Sequence, residues 1–443
     1  MIKNKLILLT VLPALLFPLS GCSSIAKGVT EAVLERKEKA EDSRQCEIAG
    51  AEFDGVAQSL EAQAGHPEKV TKVMMVHGIS THLPGYSNRL QKKLYETLGL
   101  NKTDENVKTI KLDSNEIAWG NEDHILGELN ITRHMNEDET RELIFYELTW
   151  SPITTPQKEM LAVDSANTEG LPRSDLNGSL KSFMNETVPD MLIYNGNGYD
   201  KITKAIEESV CWMLADDWSD LPQSGTHSCA AWEKSTFSSI LKDDHFFVTH
   251  SLGSRITIDT IQNFASRETA SNLNVPQSEI EEKVRQKEFT VFMMANQLPL
   301  LQMGRNAPNV SANQAAYCSL DGQYSEQRVM RKMNIVAFSD PNDILSYPIP
   351  ANFAQDYIDR RICPSVVNVS LNVAPEKDVF GAFSFANPAL AHNGYIEDDR
   401  VITLIANGMH RHNPSPLIEK SCKWMKVEAL PEKTATPSGD EQI

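Results

Sequence analysis

Ser251, His392 and the aspartates Asp340 and Asp343 are the residues of this chain whose types and settings suit nucleophilic catalysis. A serine hydroxyl is barely ionised at neutral pH. To attack a carbonyl it needs an imidazole to take its proton and a carboxylate to hold that imidazole in one tautomer. The negative oxygen that develops needs backbone N–H donors. Ser251 lies in Thr249-His250-Ser251-Leu252-Gly253, between a short apolar run, Phe246 to Val248, and a helically spaced segment with Ile258, Ile261 and Ala265 on one face. That pattern predicts strand, sharp turn and helix, with the serine at the tip of the turn. Small residues suit such a turn because the backbones approach closely, and the helix start offers unpaired N–H groups to an oxyanion.

The elements downstream place the other groups after strands. Phe289–Ala295 and Met333–Phe338 read as buried strands, and the second runs into Ser339-Asp340-Pro341-Asn342-Asp343-Ile344-Leu345. Val366–Val373 is a third strand, followed by a polar loop and Ala391-His392-Asn393-Gly394-Tyr395. A helix is expected from Asp398 or Asp399, with Val401, Leu404 and Ile405 inward and Gly408 as its stop. Upstream, the strand Val73–Val76 leads into His77-Gly78-Ile79-Ser80, ahead of a helix carrying Tyr86, Leu90, Leu94 and Leu98 at four-residue spacing.

The five residues around Ser251 resemble the nucleophile elbow of the α/β-hydrolase superfamily, G-x-S-x-G, with Thr249 in place of the first glycine. The order Ser, Asp, His, each after a strand, is what that resemblance requires, and His392-Asn-Gly-Tyr395 looks like the catalytic-His region of several esterases and lipases. The resemblance covers about residues 70 to 410. It implies an α/β fold, mainly a parallel sheet with helices on both faces and a cap insertion. It implies Ser251 as nucleophile, His392 as base and Asp343 as acid, because the superfamily acid commonly precedes an apolar pair such as Ile344-Leu345. Asp340 competes for that role, and the plainer reading is that both aspartates only organise an Asp-Pro turn. His77-Gly78 resembles the H-G segment after the third strand of the superfamily. This makes the N–H groups of Ile79 and Leu252, with Ser80 as a further candidate, the oxyanion donors, and His77 structural. His250 is a packing neighbour rather than the base.

The N-terminus addresses the compartment. Lys3 and Lys5 precede an apolar run to Leu19 that is too short and too proline-broken to span a membrane. Leu19-Ser20-Gly21-Cys22 resembles the lipobox of bacterial lipoproteins, which implies cleavage before Cys22 and lipid on its thiol. Ser23 follows rather than the aspartate that marks inner-membrane retention in many enterobacteria, so the expected place is the outer membrane, facing the periplasm. The alternative is an ordinary signal peptide with a chance cysteine. Of seven cysteines, Cys22 removed leaves six, enough for three disulfides in an oxidising compartment, with connectivity open. No C-x-x-C pair occurs, and no cofactor or metal is expected.

A net charge of −18 makes nucleic acid an unsuitable partner. Residues 1–21 are assigned to the signal peptide and 22–69 to a tether and lead-in. Residues 70–427 form the hydrolase domain, with 153–240 as a candidate cap, and 428–443 a disordered tail. Residues 101–140 read as an irregular polar insertion. Met160, Leu161, Phe183, Met184, Met191 and Leu192 are candidates to line an acyl pocket, or equally for plain core.

The expected function is therefore a carboxylic ester hydrolase of lipase or esterase type. Its substrate is a lipid or acyl ester, and it meets the membrane through its lipid anchor. The same machinery serves acyltransferases, thioesterases and peptidases. A non-catalytic envelope lipoprotein that reuses the fold for binding is the reading from another class.

Overall fold

The computed structural model describes residues 45–113, 125–166, 174–229, 239–266, 282–310, 312–379 and 383–425. The expected signal peptide, Cys22, residues 22–44 of the tether and the tail 428–443 lie outside the described residues.

The strands are β1 (Cys46–Ala49), β2 (Thr71–Val76), β3 (Lys102–Thr103), β4 (Lys108–Asp113), β5 (Ile125–Met135), β6 (Glu142–Thr149), β7 (Ser224–His227), β8 (Asp244–His250), β9 (Glu288–Met294), β10 (Lys332–Ser339), β11 (Pro364–Leu371), β12 (Lys377–Val379), β13 (Phe383–Phe385) and β14 (Lys423–Met425). Twelve of them form one sheet in the order β14-β1-β11-β10-β9-β8-β2-β6-β5-β4-β7, with β3 against β5. The six central strands, β6-β2-β8-β9-β10-β11, are all parallel. Their sequences explain this. Every residue of β2 is buried, the near-continuous apolar run of a strand covered on both faces.

The helices used below are α1 (Val56–Ala62), α2 (Asn88–Leu98), α3 (Thr155–Ala166), α4 (Asp175–Tyr194), α5 (Tyr199–Met213), α6 (Leu252–Ser266), α7 (Pro388–Asn393), α8 (Asp399–Asn407) and α9 (Pro416–Ser421). They cover both faces of the sheet. Met74, Val76 and Phe247 share one core with Ile202 and Ile206 of α5 and Ile256 of α6. Val73, Met75 and Phe246 face the other core, with Leu60 of α1, Leu90 and Leu94 of α2 and Val401 of α8. The molecule is thus a mixed α/β protein with a mostly parallel central sheet between helical layers.

Two boundaries differ from the sequence expectation. Residues 101–140 are not an irregular insertion, because they supply the antiparallel β5 and the neighbouring β4. Ile110, Leu112, Leu129 and Ile131 are buried, while Lys111 is exposed and Thr109 half-buried at the alternate positions of β4. Strands covered more on one face alternate apolar with polar, and that dilutes the apolar signal of the segment. The core also begins before Val70. β1 pairs antiparallel with β11 and parallel with β14, and the Cys46–Cys422 disulfide closes that edge. The other bridges are Cys211–Cys229 and Cys318–Cys363.

The strand order sets the place of the site. From β2 the chain reaches its neighbour β6 on one side. From β8, on the other side of β2, it steps outward through β9, β10 and β11. The carboxyl ends of β2 and β8 therefore flank a topological switch point, where parallel sheets leave a crevice.

Candidate active site

Ser251 follows β8 directly and precedes α6. Its φ is +55°, a left-handed conformation that a β-carbon disfavours. The surroundings hold it there. Its amide donates to the Met294 carbonyl of β9 at 2.9 Å, and the Ser254 amide and hydroxyl donate to its own carbonyl at 3.1 and 2.7 Å. Two glycines permit the crowding. A β-carbon on Gly78 would lie 2.5 Å from the Ser251 Cβ and 2.8 Å from the His250 carbonyl oxygen. One on Gly253 would meet the Val76 and His77 carbonyl oxygens at 2.5 and 2.7 Å. Thr249, expected at a crowded point, sits in the ladder instead, paired with Val76 and Met293. A β-branched residue is at home there, so the departure from glycine is accommodated. Ser251 is fully buried, not the exposed turn residue that its loop position suggested.

His392 lies near the end of α7, and its Nε2 is 3.1 Å from Ser251 Oγ. Its Nδ1 is 2.9 and 3.0 Å from the two oxygens of Asp343, in the turn after β10. Burial pushes the Asp343 carboxyl up. The hydrogen bond and charge of His392, with the Leu345 amide at 3.0 Å, outweigh it and hold the group below its ordinary value. An ionised carboxylate only accepts, so the proton sits on Nδ1 and the Nε2 lone pair faces the serine hydroxyl. The arrangement can take the Ser251 proton as the hydroxyl attacks.

The two aspartates separate by what they touch. Asp340 is spent on backbone: its carboxylate accepts from the amides of Asn342, Val373 and Ala374 at 2.7, 2.6 and 3.1 Å. It is the turn organiser, and Asp343 alone reaches the imidazole. Tyr395, from the segment after His392, joins them. Its hydroxyl donates to Asp343 at 3.3 Å and accepts from the Asp340 amide at 2.7 Å. Burial, then the charge of Asp343, pushes this phenol well above its usual range, so it stays protonated.

The neighbouring histidines are accounted for. His250 Nε2 donates to the His392 carbonyl at 2.8 Å, and burial followed by the nearby His392 brings its pKa down to about 3. It props the backbone of His392. His77 Nδ1 donates to the Gly78 carbonyl at 2.8 Å, and its Nε2 accepts from the Trp150 and Ser151 amides at 3.0 and 3.3 Å. Both ring nitrogens are engaged, the ring stacks on Trp150, and burial lowers its pKa well below the ordinary value.

Of the proposed oxyanion donors, Ser80 is excluded by its geometry: its amide donates to Asp190 Oδ2 at 2.6 Å. The amides of Ile79 and Leu252 have no acceptor among the described residues. Both adjoin Ser251, Leu252 through the chain and Ile79 through Gly78. Asp190 and Lys158, on α4 and α3, had no sequence signal, because contacts between distant helices leave no spacing to read. Among the described residues no group of three or more His, Cys, Asp or Glu is placed to hold a metal ion.

The candidate cap divides. α5 is core, with Ile202, Ala205, Ile206 and Met213 buried against the sheet and α6. α3 and most of α4 lie outside it, packed on each other, while the end of α4 enters the core through Tyr194. Met160, Leu161, Phe183, Met184 and Leu192 are exposed there, and Met191 is partly buried against the core. Leu83, Ile344 and Leu390, from the turn after β2, the acid turn and α7, are exposed as well.

Comparison with protein-family models, with curated proteins and with solved structures found no match.

Proposed function

We propose that this chain is a serine hydrolase of the α/β-hydrolase type that cleaves carboxylic esters, with lipid or acyl esters as the favoured class. The observation that carries the reading is the hydrogen-bonded chain Ser251–His392–Asp343, with the serine in a left-handed turn between a parallel strand and a helix. The placement of that chain at the switch point of the sheet supports it.

The mechanism follows from the contacts. Ser251 Oγ attacks the ester carbonyl carbon while His392 Nε2 takes its proton, and Asp343 stabilises the imidazolium. The carbonyl π electrons move to oxygen, which the Ile79 and Leu252 amides receive. The tetrahedral centre collapses, the C–O bond to the alcohol breaks, and His392 protonates the departing alkoxide. A water then attacks the acyl-serine, giving its proton to His392, and the acid leaves as the proton returns to Ser251. The exposed apolar residues of α3 and α4, helices tied to the turn after β2 through Asp190, support an acyl or lipid substrate.

Labelling with a fluorophosphonate probe tests this directly. The wild type is expected to label at Ser251 and hydrolyse short p-nitrophenyl esters, and Ser251→Ala to do neither while remaining folded. Equal labelling of the mutant, or labelling at another serine, would refute the assignment. The second part of the proposal is a lipid anchor at Cys22 that holds the protein at the outer membrane. No described helix is long and apolar enough to cross a membrane. Cys22→Ser should abolish metabolic labelling with palmitate and leave the precursor unprocessed. Normal processing and release of the mutant would make Cys22 an ordinary residue.

A further inference from the structure

The turn that carries Ile79 is held from two sides. The first hold comes from the end of β6. Trp150 donates to His77 through both its amide and its indole N–H, at 3.0 and 3.1 Å, and the Ser151 hydroxyl donates to the His82 carbonyl at 3.1 Å. The His82 ring reaches back to the Ile79 carbonyl at 3.1 Å. The second hold comes from outside the sheet. Ser80 has φ +82°, a left-handed conformation in a residue that bears a β-carbon, and its amide donates to Asp190 of α4 at 2.6 Å. Asp190 is fully buried. Its counter-ion is Lys158 of α3, 2.8 Å away and itself only 10% exposed.

A buried ion pair is a poor source of net stability, because desolvation of the charges cancels most of their attraction. What it supplies is a strong acceptor at one fixed point, since hydrogen bonds to ionised groups are short and directional. Here that point is the peptide between Ile79 and Ser80. Its plane fixes the rotation about the Ile79 Cα–C bond, one of the two torsions that join it to the preceding peptide, which carries the Ile79 N–H. The same bond occupies the Ser80 amide, so the donor offered to the developing oxyanion is the one before it.

We infer that Asp190, with Lys158 as its counter-ion, is a positioning residue for the oxyanion turn, through which helices α3 and α4 set the attitude of the Ile79 donor. This rests on the serine-hydrolase reading. Three full-length variants test it: Asp190→Ala, which removes the acceptor; Lys158→Met, which removes the counter-ion; and the double change Asp190→Asn with Lys158→Met, which keeps a neutral acceptor. Crystal structures of each are compared, with kcat and KM on a p-nitrophenyl ester and the affinity of a trifluoromethyl ketone, whose adduct carries the oxyanion. In Asp190→Ala the 79–80 peptide is expected to turn while Ser251, His392 and Asp343 keep their places. Its kcat should fall about 10- to 100-fold with KM nearly unchanged, and ketone affinity should fall by a similar factor. The Asn/Met double variant should recover most of both, more than Lys158→Met does.

An unmoved peptide in Asp190→Ala overturns the inference whatever the activity. So does a kcat that stays at the wild-type value, or a double variant as impaired as Asp190→Ala. A wild type that neither labels with the fluorophosphonate nor hydrolyses any ester removes the hydrolase reading and this role together. It is told apart from the other failures because wild type and variants are then equally inert.

Discussion

The roles of single residues here are decided by what each has left to give. Asp340 and Asp343 stand three apart in one turn, yet the first has spent its carboxylate on three amides and the second meets the imidazole. Asp343→Asn should therefore lower kcat by about 10⁴-fold, because an amide N–H facing Nδ1 favours the tautomer that cannot accept the serine proton. Asp340→Asn should cost chiefly stability, about 1–3 kcal/mol for buried amides left with a weaker acceptor. Rates and denaturant midpoints of the two purified variants check this, and a reversed ranking would move the acid to Asp340. The resemblance favoured Asp343, but the residues alone did not separate the two, since both are an aspartate beside a strand end. The serine was legible because it ends an apolar run and opens a helix, and the histidine because it precedes a helix in the order the resemblance requires.

At the scale of elements, the site is a junction of two turns, one after β2 and one after β8. Neighbouring parallel strands bring them together, and Gly78 and Gly253 let them touch. Gly78→Ala would drive a methyl group into Ser251 Cβ and the His250 carbonyl, neither of which is the end of a flexible chain. It should reduce kcat at least about tenfold and destabilise by about 1–3 kcal/mol, the usual cost of overpacking. An alanine variant with wild-type rate and stability would show that the turns can part freely, and kinetics with thermal melts decide it. The apolar strands beside the site were readable because burial on both faces leaves them almost uninterrupted. β4 and β5 were not, because their polar residues sit on alternate positions. α3 and α4 lacked any strong apolar stripe, and Met160, Leu161 and Phe183 are exposed.

For the whole molecule, the main pH sensitivity comes from buried histidines. Burial is the largest cause in each case. It lowers His250 to about 3 and His134 to about 4, and lowers His77, His82 and His245 as well. A histidine depressed in the folded state leaves the unfolded chain to bind the proton. Its stabilising contribution is therefore complete above the unfolded value of 6.5 and is lost as the pH falls toward the folded value. Each contributes a slope of up to about 1.4 kcal/mol per pH unit in that window, so His250 and His134 together should cost about 2 kcal/mol between pH 6.5 and 5.5, with His77, His82 and His245 adding in the same direction. Asp243 and Glu208, raised by burial, bind protons more readily when folded, and they offset part of the loss nearer the carboxylate range. Urea unfolding at a series of pH values measures the slope. A stability that is flat from pH 7 to 5.5 would contradict the neutral burial of these rings.

Read alone, the sequence determined the local pieces. Apolar runs and helical spacing marked β2, β8, β9, β10, β11, α2, α6 and α8 to within a few residues, because covered strands and amphipathic helices write their period into the chain. It also determined the order serine, acid, histidine and the even count of cysteines apart from Cys22. It did not determine which cysteines pair, since six allow fifteen connectivities and only folding brings Cys46 within 4.4 Å (Cα to Cα) of Cys422, 376 positions away. Nor did it determine which aspartate meets His392, or that the Ser80 amide is taken by Asp190. Each of those depends on a direction in space between groups far apart in the chain. Such directions follow from the register and packing of the elements, which local periodicity does not encode.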